Sequence, residues 1–311
     1  MAIHIGSGRQ KVGRVSASPD FRILDRLLSF AEEAAALALD HWERGVSVIH
    51  KDAGLGQALT EADLAISRLL HARFGPRLIE EETADQIGYD AAKRLLGEED
   101  WTFVADPIDG TKPYASGLPS WGTMIGACRG GWPRVSVLSL PAWFDDRADP
   151  FATPRAADQR GLLLAAIDDV AYWAPTRAGR QVGALRRLDP PGRPTHHVGW
   201  LAISAQRYTL DYEQGFFPWS ESSAVADAAL LALGRIDATC ITYMLWDAVA
   251  GIALWQALGY GLYRWPDLAR PPGNVIELFD HQFSSKTNMW LACKNSDHAA
   301  RFAAAIRAIQ M

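Results

Sequence analysis

The sequence predicts a mixed α/β fold, and three observations predict it. Helix-spaced apolar runs alternate with short apolar strands along the chain. The acid-rich segments follow strands directly, at the strand ends where α/β proteins collect ligands. The composition is globular: of 311 residues, 49% are apolar and 22% charged, enough to bury a sizeable core.

The elements follow in order. Ser18-Pro19-Asp20 opens a helix that Phe21 to Trp42 continues, with Ile23, Leu24, Leu27, Leu28, Ala31, Ala34, Ala35 and Ala38 at helical spacing. Thr60-Glu61-Ala62-Asp63 opens a second helix, with Thr60 as N-cap and Asp63 as the acidic partner of a capping box. That helix ends at Gly75-Pro76. A strand over Arg77 to Ile79 leads into Glu80-Glu81-Glu82-Thr83, and a strand over Trp101 to Ala105 leads into Asp106-Pro107. Thr123 to Cys128 and Arg134 to Leu140 read as strands joined by a Gly130-Gly131 turn. Phe144 to Gln159, rich in Asp, Arg and Pro, reads as a surface loop. Ser222 to Gly234 and Trp246 to Leu258 read as apolar helices, the second led by Asp247.

Residues 1–18 read as a flexible leader and residues 19–311 as one catalytic unit of two lobes. The lobes span about 19–188 and about 195–311, divided at the Pro-rich stretch Asp189 to Pro194. A net charge of -5 excludes a general nucleic-acid binder, which needs excess cations. No run of about 18 apolar residues provides a membrane span. Cys128, Cys240 and Cys293 have neither zinc-site nor disulfide-framework spacing, which fits a reducing cytoplasm. His196-His197 reads as a surface or strand feature.

The chemistry concentrates at three places. In Asp106-Pro107-Ile108-Asp109-Gly110-Thr111 two carboxylates lie three positions apart beside a rigid proline, and a Gly-Thr step follows. A helix starting there would aim the N–H groups of Gly110 and Thr111 at an anion. One turn would then supply both oxygens for a hard cation such as Mg²⁺ and a phosphate cradle. The same residue types also make an ordinary strand-to-turn junction. Glu80-Glu81-Glu82-Thr83 reads either as a solvated acidic face or as ligands at a strand end. Asp247, taken alone, reads as a helix cap.

Taken together, these segments resemble the inositol monophosphatase superfamily of metal-dependent, lithium-sensitive phosphatases. The matching residues are Glu81-Glu82-Thr83, Asp106 to Thr111 and Trp246-Asp247. Lys51, Thr60 to Asp63 and Gly234-Arg235-Ile236-Asp237-Ala238 support them. The resemblance implies a layered α-β-α-β-α sandwich. It implies two or three Mg²⁺ ions held by Glu81, Asp106, Asp109, Asp247 and the Ile108 carbonyl. It further implies a catalytic water deprotonated and oriented by Glu82 and Thr111, and a supporting role for Asp63. Phosphoryl transfer needs charge neutralisation and alignment more than covalent help, which suits such a set. The expected partner is a small-molecule phosphate, and a homodimer is common in the family.

The string Gly117-Leu118-Pro119-Ser120-Trp121-Gly122-Thr123 looks most like the histidinol-phosphate phosphatase branch. Two substrate-side positions depart from the family. The usual Gly-Ser-Ala-Ala becomes Ser222-Ser223-Ala224-Val225. Counted back from Trp246-Asp247 without a gap, a carboxylate that contacts substrate becomes Cys240, with Glu221 nearby as a substitute. Three readings stay open: a phosphatase of a polyol, sugar or amino-alcohol phosphate; a 3′-phosphonucleotide phosphatase; and a weakly active regulatory or scaffold relative.

Overall fold

The first helix, α1 (Pro19–Arg44), starts on a proline, whose missing N–H costs nothing in a first turn. Its buried Leu24, Leu27, Ala31, Ala34, Ala38 and Trp42 recur every three or four positions and form one apolar stripe. A two-stranded ribbon follows, of β1 (Val48–His50) and β2 (Ala58–Thr60), and leads into α2 (Glu61–Phe74). Thr60 and Asp63 cap α2 reciprocally, as their spacing predicts, and Gly75 ends it at φ 61°. The structure, a computed structural model, describes residues 19–46, 48–50, 58–144, 155–190, 192, 194–200, 205, 207–285 and 288–309. The leader, Lys51 and most of the predicted loop after Phe144 lie outside the described residues.

The large sheet contains β3 (Leu78–Glu80), β4 (Thr102–Asp109), β5 (Gly122–Arg129), β6 (Trp132–Phe144), β7 (Arg160–Ile167), β8 (Val170–Arg177), β9 (Arg180–Gln181) and β10 (Arg186–Leu188). Its order is β3-β4-β5-β6-β7-β8-β10, with β9 also paired to β8. Only β3 and β4 run parallel, joined through the short helices α3 (Ala84–Ile87) and α4 (Tyr89–Gly97). The remaining neighbours are antiparallel. Helix α5 (Thr111–Ala115) follows β4. The second sheet has the order β13-β11-β14-β16-β15. Its strands are β11 (His197–Gly199), β13 (Phe217–Trp219), β14 (Ala238–Ile241), β15 (Gly261–Arg264) and β16 (Trp290–Cys293). A separate strand pair joins β12 (Tyr208–Leu210) to β17 (Ile306–Ala308).

Three apolar cores alternate with these sheets. In the first, Leu27, Phe30, Ile66 and Leu70 of α1 and α2 meet Phe103, Ala105, Ile125 and Leu163 of the large sheet. In the middle core, α6 (Ala224–Ala232) and α7 (Leu245–Ala257) fill the space between the sheets. They pack on Val104, Met124, Leu138 and Leu164 on one side and Ile241, Leu262 and Ala292 on the other. In the outer core, Val198, Cys240, Leu291 and Cys293 meet Ala299 and Phe302 of α8 (Ser296–Ala305). Successive strand residues serve opposite cores, as the two-residue period requires. The layers therefore run α-β-α-β-α. Both middle helices are apolar around most of their circumference, Asp227, Asp247 and the exposed Gln256 excepted, because the two sheets enclose them. No described helix is long and apolar enough to cross a membrane.

The large sheet differs from the sequence expectation at β4, β7 and β8. Strand β4 runs on to Asp109 rather than stopping at Ala105, because it re-pairs with β5 beyond an irregularity. Strands β7 and β8 are not among the predicted elements. Gly161 to Ile167 is an unbroken apolar run, covered on both faces, and carries no diagnostic period.

The middle layer sits close to the sheet at Gly126, where an added Cβ would lie 2.7 Å from Val249 Cγ1. Gly126→Val is expected to destabilise by about 1–3 kcal/mol through overpacking. Urea unfolding checks this; an unchanged midpoint would mean that α7 does not press on β5 there.

Candidate metal centre

The parallel pairing of β3 with β4 puts their carboxyl ends side by side, with Glu80 opposite Ala105. Beyond that register lie Glu81 and Glu82 in the turn after β3 and Asp106 to Asp109 on β4. Between Asp106 and Asp109 strand β4 advances three residues while β5 advances two, from Met124 to Gly122. This is a bulge at Pro107-Ile108, where proline has no N–H to offer a ladder. Thr123 Oγ1 holds the Pro107 carbonyl at 2.8 Å.

Asp106, Asp109 and Asp247 each offer an oxygen, and these oxygens lie within 4.8 Å of one another. Asp109 is anchored at the start of α6: Ser223 Oγ donates to it at 2.5 Å, Val225 N–H at 2.7 Å and Ala224 N–H at 3.2 Å. Asp247, in the first turn of α7, accepts the Met244 N–H at 3.1 Å. Asp106 is buried, and its Oδ1 has no hydrogen-bond partner. Burial, then the charges of Glu81, Asp247 and Asp109, push the Asp106 carboxyl well above its ordinary range. Burial also raises Asp109, against the lowering effect of its Ser223, Val225 and Ala224 bonds. A buried, unpartnered carboxylate oxygen amid three further acids is what a hard divalent cation would satisfy, so the donor set fits one.

The turn after β4 is set by Gly110, at φ 80°. A Cβ there would lie 2.8 Å from the Ser120 carbonyl and 3.0 Å from Ser223 Cβ, so only glycine allows this approach. Thr111 begins α5, so a short helix does start at the Gly-Thr step, and its Oγ1 donates to the Ile108 carbonyl at 3.1 Å. Asp63 is buried and accepts both the Thr60 N–H, at 2.8 Å, and the Thr60 hydroxyl. Burial foremost, with the charge of Glu82 as a smaller cause, raises the Asp63 carboxyl to about 6. Ser222 takes a left-handed φ of 58° just before the Ser223 cap. Glu221 accepts the Trp219 indole N–H at 3.0 Å, and its carbonyl accepts Ser120 Oγ at 3.1 Å.

A scan against family models matches residues 23–311 to the inositol monophosphatase family. The chain belongs to the inositol monophosphatase family. It is 33% identical over 242 residues to a Streptomyces griseus protein named glucose-1-phosphate thymidylyltransferase, covering 70% of this chain and 85% of that one. Over 108 residues it is 37% identical to the histidinol-phosphatase of Mycobacterium tuberculosis, covering 30% of this chain and 42% of that one. The solved CysQ of Bacteroides thetaiotaomicron, a bacterial member of the family, superposes with a TM-score of 0.61 at 17% identity. That match covers 88% of this chain and 98% of CysQ. As a member of this family the chain is a metal-dependent phosphatase.

One expected site residue of this inositol monophosphatase family chain is displaced. Cys240 is wholly buried in the outer core with Leu291, Cys293 and Phe302, and does not line the acidic cleft. Its neighbour Ile241 faces the middle core instead. Trp121 is likewise a packing residue, edge-on to Trp42 and Tyr114. Sequence reasoning missed three polar groups around the site. Glu80 is wholly buried rather than part of a solvated face. Asp227 is buried in α6 with both oxygens unpartnered, and burial with the charges of Asp109 and Glu221 raises its carboxyl well above the usual range. Tyr243 is buried with an unpartnered hydroxyl facing the charges of Asp227, Asp247 and Asp109. A lone acid in an Ala/Leu helix was the legible signal for Asp227.

A carboxyl raised to about 6 contributes stability that is complete below its unfolded pKa and is lost as pH rises through the folded one. Between pH 4 and 7 the metal-free wild type should lose roughly 2–3 kcal/mol more than Asp63→Asn. Equal pH slopes in urea unfolding would mean Asp63 is not desolvated. Cys240→Glu buries an unpaired charge and should cost about 3–5 kcal/mol. Wild-type stability in that variant would put the side chain in water.

Proposed function

We propose that the chain is a Mg²⁺-dependent phosphomonoesterase acting on a small soluble metabolite phosphate, namely a polyol, sugar or amino-alcohol phosphate. The observation that carries the reading is the convergence of Asp106, Asp109 and Asp247, together with the unpartnered oxygen of the buried Asp106. These residues, with Glu81 and the Ile108 carbonyl, would hold Mg²⁺. When bound, the ion supplies the positive charge that neutralises a phosphoryl group and acidifies water.

The chain's own groups would do the rest. Glu82 is read as the base whose carboxylate accepts the proton of the attacking water. Thr111 is read as the group that aligns that water, and its tether to the Ile108 carbonyl limits its rotation. Gly110 and the N–H groups at the start of α5 would lie against the phosphate. With Cys240 turned into the outer core, its thiol no longer counts against hydroxyl- or amine-bearing substrates. Glu221, two residues before the Ser223 cap of Asp109, is the carboxylate available to bind such groups. Ser222 sits between them at the same rim.

A second reading is a 3′-phosphonucleotide substrate. It is favoured by Trp219, about half exposed, whose indole is held on Glu221 and offers a stacking face. Three wholly buried, unpaired cysteines suit the reducing cytoplasm proposed for either activity.

A phosphate-release panel with Mg²⁺ tests both readings. Turnover should disappear on chelation, fall with lithium, and be greatest on one of the first substrate class. Turnover that survives complete chelation would sink the reading. Glu221→Gln should raise KM for that substrate about tenfold while kcat changes less, the pattern of lost uniform binding. An unchanged KM would remove Glu221 from the pocket.

A further inference from the structure

Glu80 lies outside the metal group, yet it is wholly buried at the end of β3 and meets three donors and the His71 ring. Its Oε1 accepts from Ser67 Oγ at 3.0 Å and from Thr83 Oγ1 at 3.0 Å, and meets His71 Nε2 at 3.1 Å. Its Oε2 accepts the Glu82 backbone N–H at 3.0 Å. The Thr83 N–H donates to the Glu80 carbonyl at 3.2 Å and closes the turn that carries Glu81 and Glu82. Asp63, Ser67 and His71 recur every four residues on α2, so one helix face serves both glutamates. Asp63 feels the charge of Glu82, while Ser67 and His71 grip Glu80. A buried carboxylate with this many donors is a satisfied and therefore rigid anchor.

We propose that Glu80 is a positioning residue for the phosphatase reaction: by holding the Glu82 N–H it fixes the turn, and so the direction in which the Glu82 carboxylate meets water. The inference rests on the reading of Glu82 as the base. Glu81 and Glu82 are only partly buried, whereas Glu80 at the end of β3 is wholly buried. Misplacing a catalytic group by about 1 Å can cost on the order of 10² in rate, which is the scale the anchor guards against.

Glu80→Gln and Glu80→Met fill similar space, but only glutamine can accept the Glu82 N–H. The hydroxyls of Ser67 and Thr83 and a neutral His71 can accept as well as donate, so the amide N–H₂ also finds partners. Glu80→Gln should therefore keep kcat within about threefold of wild type, whereas Glu80→Met lowers it about tenfold or more with KM within about twofold. Phe302→Leu, in the outer core, serves as a stability-matched control and should keep its kcat. In the wild type, hydrogen exchange at the Glu82 amide should be slowed by about 10²-fold or more relative to an unprotected amide. That measurement needs neither activity nor a folded variant, and it decides the matter if Glu80→Met does not fold. An active wild type whose kcat ignores Glu80→Met, or a Glu82 amide that exchanges freely, overturns this inference alone. A wild type that releases phosphate from no ester overturns the reading of the site and this inference with it.

Discussion

The parallel pairing of Leu78–Glu80 with Thr102–Asp109 is the constraint on which the site depends. Elsewhere the large sheet is antiparallel, and antiparallel neighbours would send these two carboxyl ends apart. The crossover that parallel strands require is supplied by the short helices of residues 84–97. The middle layer adds two more chain ends at the same place, the starts of α6 and α7. Asp109 is bonded to the first N–H groups of α6, and Asp247 lies in the first turn of α7. Three separate segments thus deliver acids to one small volume, and a fourth, the start of α6, delivers the donors that hold Asp109. None of the four could do so without the sandwich around them.

That volume is electrostatically unfavourable in the metal-free chain. Asp106 is raised by burial first and then by three neighbouring carboxylates, and it has no donor on Oδ1. Asp109 escapes part of this strain because helix N–H groups and Ser223 stabilise its charge. The contrast separates two kinds of acid in one cleft. Asp109 is fixed by the fold, whereas Asp106 is left wanting a cation. Glu80 is a third kind, held by Ser67, Thr83, His71 and the Glu82 N–H and lying outside the group of Asp106, Asp109 and Asp247. The partners on α2 and at the start of α6 account for the division, since Asp106 Oδ1 has none.

Much of this was legible in the sequence, for reasons that can be named. The helix of Pro19–Arg44 declares itself by a stripe, and the Thr60–Asp63 box by a spacing with a mechanism. Asp106 to Thr111 is compact enough for its strand-turn-helix context to be read locally. What stayed hidden was mostly non-local. Glu80 looked like one of three equivalent acids, because its burial depends on Ser67 and His71 from another element. Strand β7 has no period to read, since both of its faces are covered. The polar trio of Asp227, Thr239 and Tyr243 arises only where α6 meets the second sheet. There Gly199 leaves space: a Cβ on it would lie 2.4 Å from Thr239 Oγ1 and 3.0 Å from Asp227 Oδ2.

Cys240 illustrates the sharpest of these limits. Counting back from Trp246-Asp247 assumes that every residue between strand and helix is matched one for one. Strand β14 pairs with β16 so that Ala238 lies opposite Cys293 and Cys240 opposite Leu291. Its even-numbered side chains, Ala238 and Cys240, enter the outer core, and Ile241 enters the middle one. In a strand, a slip of a single residue exchanges the two faces completely. Counting by position therefore carries no information about which core a strand residue enters unless the register is known. The loop before Ser223 is different, because Ser120 Oγ on the Glu221 carbonyl and Ser223 on Asp109 tie it to the site directly. A substrate-side acid is thus better sought on that tethered loop than on the strand, and it is physical tethering, not sequence distance from Asp247, that points to Glu221.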